Sequence, residues 1–102
     1  MPYVRVTTMI ARTGQEARLE KTMRELSAFY ASQPGYIHGY MLSPHHDAQP
    51  RRYGRIGVWE KEENATHAAQ LDHALALRSE LLRIIVEELH DEYSFIGDAD
   101  VK

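Results

Sequence analysis

Polar and apolar residues alternate at the start of the chain. Between Tyr3 and Ala11, Val4, Val6, Thr8 and Ile10 share one parity, and Tyr3, Arg5, Thr7 and Met9 the other. A period of two with β-branched residues predicts a strand. Thr13-Gly14-Gln15-Glu16 then fits a capping box, S/T-x-x-E, so a helix is expected to begin there. Its apolar residues Leu19, Met23, Leu26 and Tyr30 step by four, three and four, which makes one stripe on a helical period. Pro34-Gly35 ends the helix, because proline biases Gln33 away from helical dihedrals.

A second strand is predicted from Tyr36 to Ser43, then a polar loop from Pro44 to Pro50, then a third strand from Tyr53 to Trp59 that completes a hairpin. Lys61 to Gln70 reads as a short helix. Asp72 is placed to cap a longer helix reaching about Leu89. That helix carries two apolar lines: Leu77, Leu81, Ile84 and Ile85, and Leu75, Leu82, Val86 and Leu89. Two lines predict contact on two sides. A last strand, Tyr93 to Ile96, precedes a polar tail. No linker, repeat or low-complexity segment interrupts residues 1–102, which read as one domain. The order β-α-β-β-α-α-β predicts an α+β fold of ferredoxin-like plan, one antiparallel sheet with helices on one face.

Strand parity divides the sheet into an aliphatic and a mixed face. Val4, Val6, Ile10, Ile56 and Val58 belong to the first; Tyr3, Arg5, Thr7, Met9, Tyr53, Arg55 and Trp59 to the second. On the second strand Ile37 and Met41 oppose Tyr36, His38, Tyr40 and Leu42. Tyr93 and Phe95 are candidates to join the mixed face. The aliphatic set is expected under the helices. The mixed face is then too aromatic to stay in water as one patch and too polar for an ordinary core. A second copy of the chain would cover it, either as a plain interface rich in Tyr, Trp and Arg or around a small-molecule pocket. A single β-bulge would reverse part of this assignment.

Composition narrows the classes. The chain has 102 residues, 43% of them hydrophobic, a formal net charge of −3 and no cysteine. A domain of this size has a thin core, so a pocket is expected to need help from a second subunit. Absence of cysteine removes disulfide scaffolds, thiolate nucleophiles, iron–sulfur clusters and Cys-type zinc sites. The acidic balance gives no general attraction to nucleic acid, and Arg51-Arg52 with Arg55 is a small basic cluster. No apolar run approaches the ~20 residues of a membrane span. The segment Met1 to Val6 lacks an apolar signal core, so the expected location is the cytoplasm. His45-His46-Asp47 resembles a metal motif but has no further ligands at a recognisable spacing, and reads as a solvated loop, with no metal expected.

Several short motifs, in order along nearly the whole chain, resemble the antibiotic biosynthesis monooxygenase superfamily. They are Arg12-Thr13-Gly14-Gln15-Glu16 after the first strand, Gln33-Pro34-Gly35-Tyr36 before the second, Val58-Trp59-Glu60 at the end of the third, and Ala65-Thr66-His67 and Leu71-Asp72-His73 on the split helix. Thr13 and Asp72 replace prolines usual in that family. Gly57-Val58 stands where many relatives carry an acid two residues before the tryptophan. The resemblance implies a homodimeric α+β barrel with a pocket between sheet and helices or across the barrel. It also implies activities ranging from cofactor-free oxygenation of hydroquinone-like aromatics to heme degradation.

Cofactor-free oxygenation needs a base, donors for a developing oxyanion and exclusion of water. His67 is the first candidate base, since it matches a family position and histidine titrates near neutrality; the alternative is a helix histidine bonded to a carbonyl. His38, between Tyr36 and Tyr40, is the second. For substrate binding the candidates are Trp59 by stacking, Arg55 and Arg5 by charge, Tyr40 by hydrogen bonding, and His73 by family position. Each also has a packing or interface reading. The favoured reading is a cofactor-free monooxygenase on a small quinol-like or polyketide-like aromatic. The alternatives are a heme-binding protein using His67 or His73, and a non-catalytic dimeric ligand-binding protein. Heme-degrading relatives carry an Asn on the first strand, whereas the one asparagine here is Asn64.

Overall fold

A computed structural model describes residues 1–100. Its elements are β1 (Tyr3–Ala11), α1 (Glu16–Ala31), β2 (Tyr36–Leu42), β3 (Tyr53–Trp59), α2 (Glu62–Ala69), α3 (Asp72–Ile84) and β4 (Ile85–Phe95). The four strands form one antiparallel sheet in the order β2-β3-β1-β4. This is the ferredoxin-like arrangement that the element order predicts. No helix is long and apolar enough to cross a membrane among the described residues.

Two boundaries differ from expectation. The first helix begins at Glu16 with Gln15 at the cap position, and Thr13 makes no capping bond. Instead Gly14 turns the chain at φ 86° and its N–H donates to Glu16 Oε1 at 3.2 Å, a conformation suited to glycine. The last helix stops at Ile84 rather than near Leu89, and β4 starts at once with Ile85. There Ala11 pairs with Ile85 and Ile10 with Val86, and Arg12 N–H donates to the Ile84 carbonyl at 2.9 Å. The β-branched run Ile84-Ile85-Val86 favours the ladder over another helical turn. Register slips between Thr8 and Ile10, where Glu87 adopts φ 62°. Of the two apolar lines, Leu81, Ile84 and Ile85 are buried, while Leu75, Leu82 and Val86 face outward.

The largest correction concerns the faces of the sheet. The mixed set lies under the helices: Tyr3, Thr7, Met9, Tyr53, Arg55 and Trp59 are all buried, in one core with Leu19, Met23, Leu26 and Tyr30 of α1. The aliphatic set forms the opposite face, where Val6, Ile56 and Val58 are only half-buried. Side-chain volume explains the inversion. Helices α2 and α3 turn small residues inward, Ala65, Ala68 and Ala74, so large side chains from the sheet must fill the layer. Trp59 does so with rings at its edges, Tyr30 at 5.7 Å and Tyr36 at 5.2 Å between centroids. Such edge-to-face contacts bury more area per residue than valine or isoleucine offers.

A bulge places the side chains of β2. Tyr36 pairs with Trp59 but His38 pairs with Val58, which leaves Ile37 as the extra residue. Tyr36 therefore lies under the helices, and His38 and Tyr40 share the outer face, 4.8 Å apart. Met41 pairs with Arg55 and packs against the core.

The face assignment has a direct test. Met9 is 1% exposed, so Met9→Ala is expected to lower urea-unfolding stability by about 2–5 kcal/mol. A loss well below about 1 kcal/mol would return Met9 to an open face.

Candidate functional site

The layer between sheet and helices contains a narrow cleft. Its floor is Arg5, Thr7 and Met9 of β1 and Arg55 and Trp59 of β3; its roof is Leu26 and Tyr30 of α1, Ala65 of α2, and Arg78 and Leu81 of α3. The free volume is about 10 Å³, room for a single water molecule at most. Beside Arg5, outside the lining of the cleft, lies an aromatic cluster. Tyr3 stacks on Tyr93 at 6.4 Å and meets the edge of Phe95 at 5.8 Å. Tyr93 and Phe95, on the edge strand, are 57% and 60% exposed.

Charge distinguishes the cleft from an ordinary core, for it brings three guanidinium groups together. Arg55 is 3% exposed and has no carboxylate partner. Its Nε donates to Ser27 Oγ at 2.9 Å, its Cζ lies 5.0 Å from the Tyr30 ring centroid, and its Nη2 has no hydrogen-bond partner. Burial pushes the guanidinium below its usual pKa, while Tyr30 and Tyr36 act the other way. Arginine nonetheless stays protonated in proteins, so the fold carries the cost of a buried cation. Arg5 lies over Tyr93 at 4.9 Å, and its Nε is also buried without a partner. Arg78 donates to Asp91 Oδ2 at 3.4 Å, and Thr7 Oγ1 donates to Asp91 Oδ1 at 2.6 Å. Asp91 is thus held by two donors already.

Of the residues singled out from sequence, Arg5, Arg55 and Trp59 converge on this cleft. The other four do not reach it. His67 is exposed on α2 beside Glu62, Glu63, Thr66 and Gln70. His73 is exposed at the start of α3 with its ring 4.8 Å from Phe29. His38 and Tyr40 lie on the opposite face of the sheet. No histidine lines the cleft. In the β2–β3 loop, His45, His46 and Asp47 bring ligand atoms within 4.8 Å of one another, but all three are fully accessible to water.

Arg78, Tyr30 and the Thr7–Asp91 pair were not apparent as site residues from the sequence. Arg78 did carry a signal: it sits four residues after Ala74 and three before Leu81, on the buried stripe of α3. A cation at a core position of a helix marks either a buried pair or a binding site.

An arginine kept for binding rather than packing has a distinct stability signature. Removing an incompletely paired buried charge relieves a cost. Arg55→Met is therefore expected to leave unfolding free energy within about 1 kcal/mol of the parent, or to raise it. A loss of about 3 kcal/mol or more would assign Arg55 a structural role.

Comparison with known proteins agrees with the fold. No family model matches the sequence, and no curated protein matches it. Solved structures do. SnoaB, a cofactor-independent oxygenase from Streptomyces nogalater, superposes with a TM-score of 0.82 at 19% identity, over 96% of this chain and 95% of that one. A candidate antibiotic biosynthesis monooxygenase from Nitrosomonas europaea gives 0.82 at 16% identity, over 92% and 88%. A conserved protein from Methanosarcina mazei gives 0.84 at 11% identity, over 95% and 94%. The chain thus has the fold of the antibiotic biosynthesis monooxygenase structures, along essentially its whole length.

Proposed function

We propose that this protein is a cofactor-independent monooxygenase of small, electron-rich aromatics, working in the cleft between sheet and helices. The observation that carries the reading is Arg55, a buried guanidinium with an unpaired nitrogen beside Trp59 and Tyr30. The fold shared with SnoaB supports it. Guanidinium groups in a water-poor cleft favour the ionised form of a phenol or enol. The ligand's proton then passes to solvent, and no histidine base is required. A phenolate is electron-rich enough to react with O₂ at a ring carbon that bears hydrogen, next to its oxygen in a hydroquinone. A C–O bond forms there to give a hydroperoxide; the O–O bond breaks and that carbon loses its hydrogen. One oxygen atom stays as the new carbonyl and the other leaves as water. The substrate supplies all the electrons. Arg55 and Arg5 hold the negative charge while it moves onto oxygen. The free volume of the cleft is that of about one water molecule, so this reading requires the cleft to open before a ring enters.

Heme fits these residues poorly. His67 and His73 are exposed on the outside of the helices and do not line the cleft.

The reading includes a homodimer. The outer face of the sheet presents Val6, Ile56 and Val58 with the exposed Ile37 and Tyr40, a contiguous apolar surface that a second copy would cover. This pairing buries the aliphatic face, opposite to the one expected from sequence. Light scattering after gel filtration is expected to give twice the chain mass, and Ile56→Asp the single chain. A parent protein that elutes as a monomer contradicts the dimer.

Oxygen consumption with a panel of hydroquinones tests the activity. Uptake is expected for at least one member, and Arg55→Met is expected to lower it by about a hundredfold, the scale of losing one oxyanion donor. His67→Ala is expected to consume oxygen like the parent. Ligand binding without uptake by any member would favour a non-catalytic binding protein.

A further inference from the structure

Gly57 marks the spot where the donors of the cleft converge. It faces the helices in a cross-strand row with Gly39 on one side and Arg5 and Tyr93 on the other. A Cβ at residue 57 would lie 3.1 Å from Trp59 Nε1, and 3.4 and 3.5 Å from Arg55 Nη2 and Nη1. A side chain there would push between the indole N–H and the guanidinium. At Gly39 a Cβ would collide with the Tyr36 hydroxyl. The two neighbouring glycines thus leave room on the sheet for the Tyr36 hydroxyl, the indole N–H and the guanidinium to gather there.

The supply of acceptors does not match these donors. Arg55 spends Nε on Ser27 and has the Tyr36 hydroxyl beside it, while Nη2 has no partner. Arg5 Nε is buried and unpaired as well. Asp91, the one carboxylate bonded to residues of the cleft, is occupied by Thr7 and Arg78. A buried donor without an acceptor costs about 1–3 kcal/mol, more for a charged group. An acceptor placed over Gly57 would meet both Arg55 Nη atoms, and the planar fork of arginine matches a planar two-oxygen anion best.

We propose that Arg55 and the Trp59 indole N–H, which meet beside Gly57, form an oxyanion subsite when the cleft opens, and that the ligand of this cleft is an aromatic acid bound through its carboxylate. Arg5, which also lines the cleft, supplies further positive potential. The inference rests on the cleft being the ligand site, as proposed above, and does not depend on turnover.

Trp59 is the only tryptophan, so a ¹⁵N-labelled sample gives one indole N–H signal to follow. Under anaerobic conditions the probes are 2,5-dihydroxybenzoate, its neutral amide, and hydroquinone. The carboxylate is expected to shift the indole signal and to bind at least about tenfold more tightly than the amide, the scale of one charge-assisted hydrogen bond. Arg55→Met is expected to abolish that preference. In Gly57→Asp, a carboxylate of the protein's own competes for the same donors, and benzoate affinity is expected to fall by a similar factor. Equal binding of carboxylate and amide by the parent protein overturns the proposal whether or not the variants fold, and so does binding that leaves the indole signal in place. No binding of any probe overturns it too. Tight, carboxylate-selective binding with no oxygen uptake from any aromatic would leave this subsite standing and remove the monooxygenase reading.

Discussion

The layer between sheet and helices depends on Trp59. Its indole is wedged edge-on between Tyr30 of α1 and Tyr36 of β2, beneath the alanines of α2 and α3. This packing decides which face of the sheet is inside. A large ring at the end of β3 needs small partners above it, and the helices provide them. Arg55, four residues earlier on the same strand, shares its parity and goes in with it. The burial of a cation is therefore a consequence of where the tryptophan packs. Ser27 and the face of Tyr30 compensate only part of the charge.

That incomplete compensation links packing to chemistry. A core optimised for stability alone would supply Arg55 with a carboxylate or replace it with an aliphatic side chain. Here β3 carries glycine beside the terminal nitrogens of Arg55, and Asp91 is committed to Thr7 and Arg78. Positive potential is concentrated in a chain whose formal net charge is negative. It lies inside the fold, shielded from salt and bulk water, where it acts more strongly on a bound anion than a surface arginine could. Under the proposed oxygen chemistry the ligand is electron-rich and reacts as an anion, and positive potential of this kind would stabilise it.

Much of this was readable in the sequence. The order and type of the elements followed from periodicity, and strand parity grouped Arg5, Arg55 and Trp59 on one face before any coordinates. What parity could not say is which face the helices cover. The usual rule sends aliphatic residues inward, but the volume left by Ala65, Ala68 and Ala74 favours the rings. The bulge at Ile37 has no local signature, and it separates Tyr36 from His38 and Tyr40. Helical periodicity ran on past Ile84 because Ile85 and Val86 fit the pattern; pairing with Ala11 and Ile10 ended it. His67 and His73 came from short motif matches, which locate a residue on a helix without fixing which side it faces. Arg78 was visible only as a charge on an apolar stripe, a signal that acquires meaning once the stripe is known to be buried.

The cleft holds positive charge which the fold leaves short of acceptors, and the anion we propose would complete it. Ligand-linked unfolding measures this directly. An anion that binds only the folded state raises unfolding free energy by about 2.7 kcal/mol at a hundred times its dissociation constant. The urea midpoint of the parent protein is predicted to rise with 2,5-dihydroxybenzoate far more than with the amide, at constant slope, and to stay put in Arg55→Met. An equal rise with both compounds, or a rise that survives the loss of Arg55, would contradict the account.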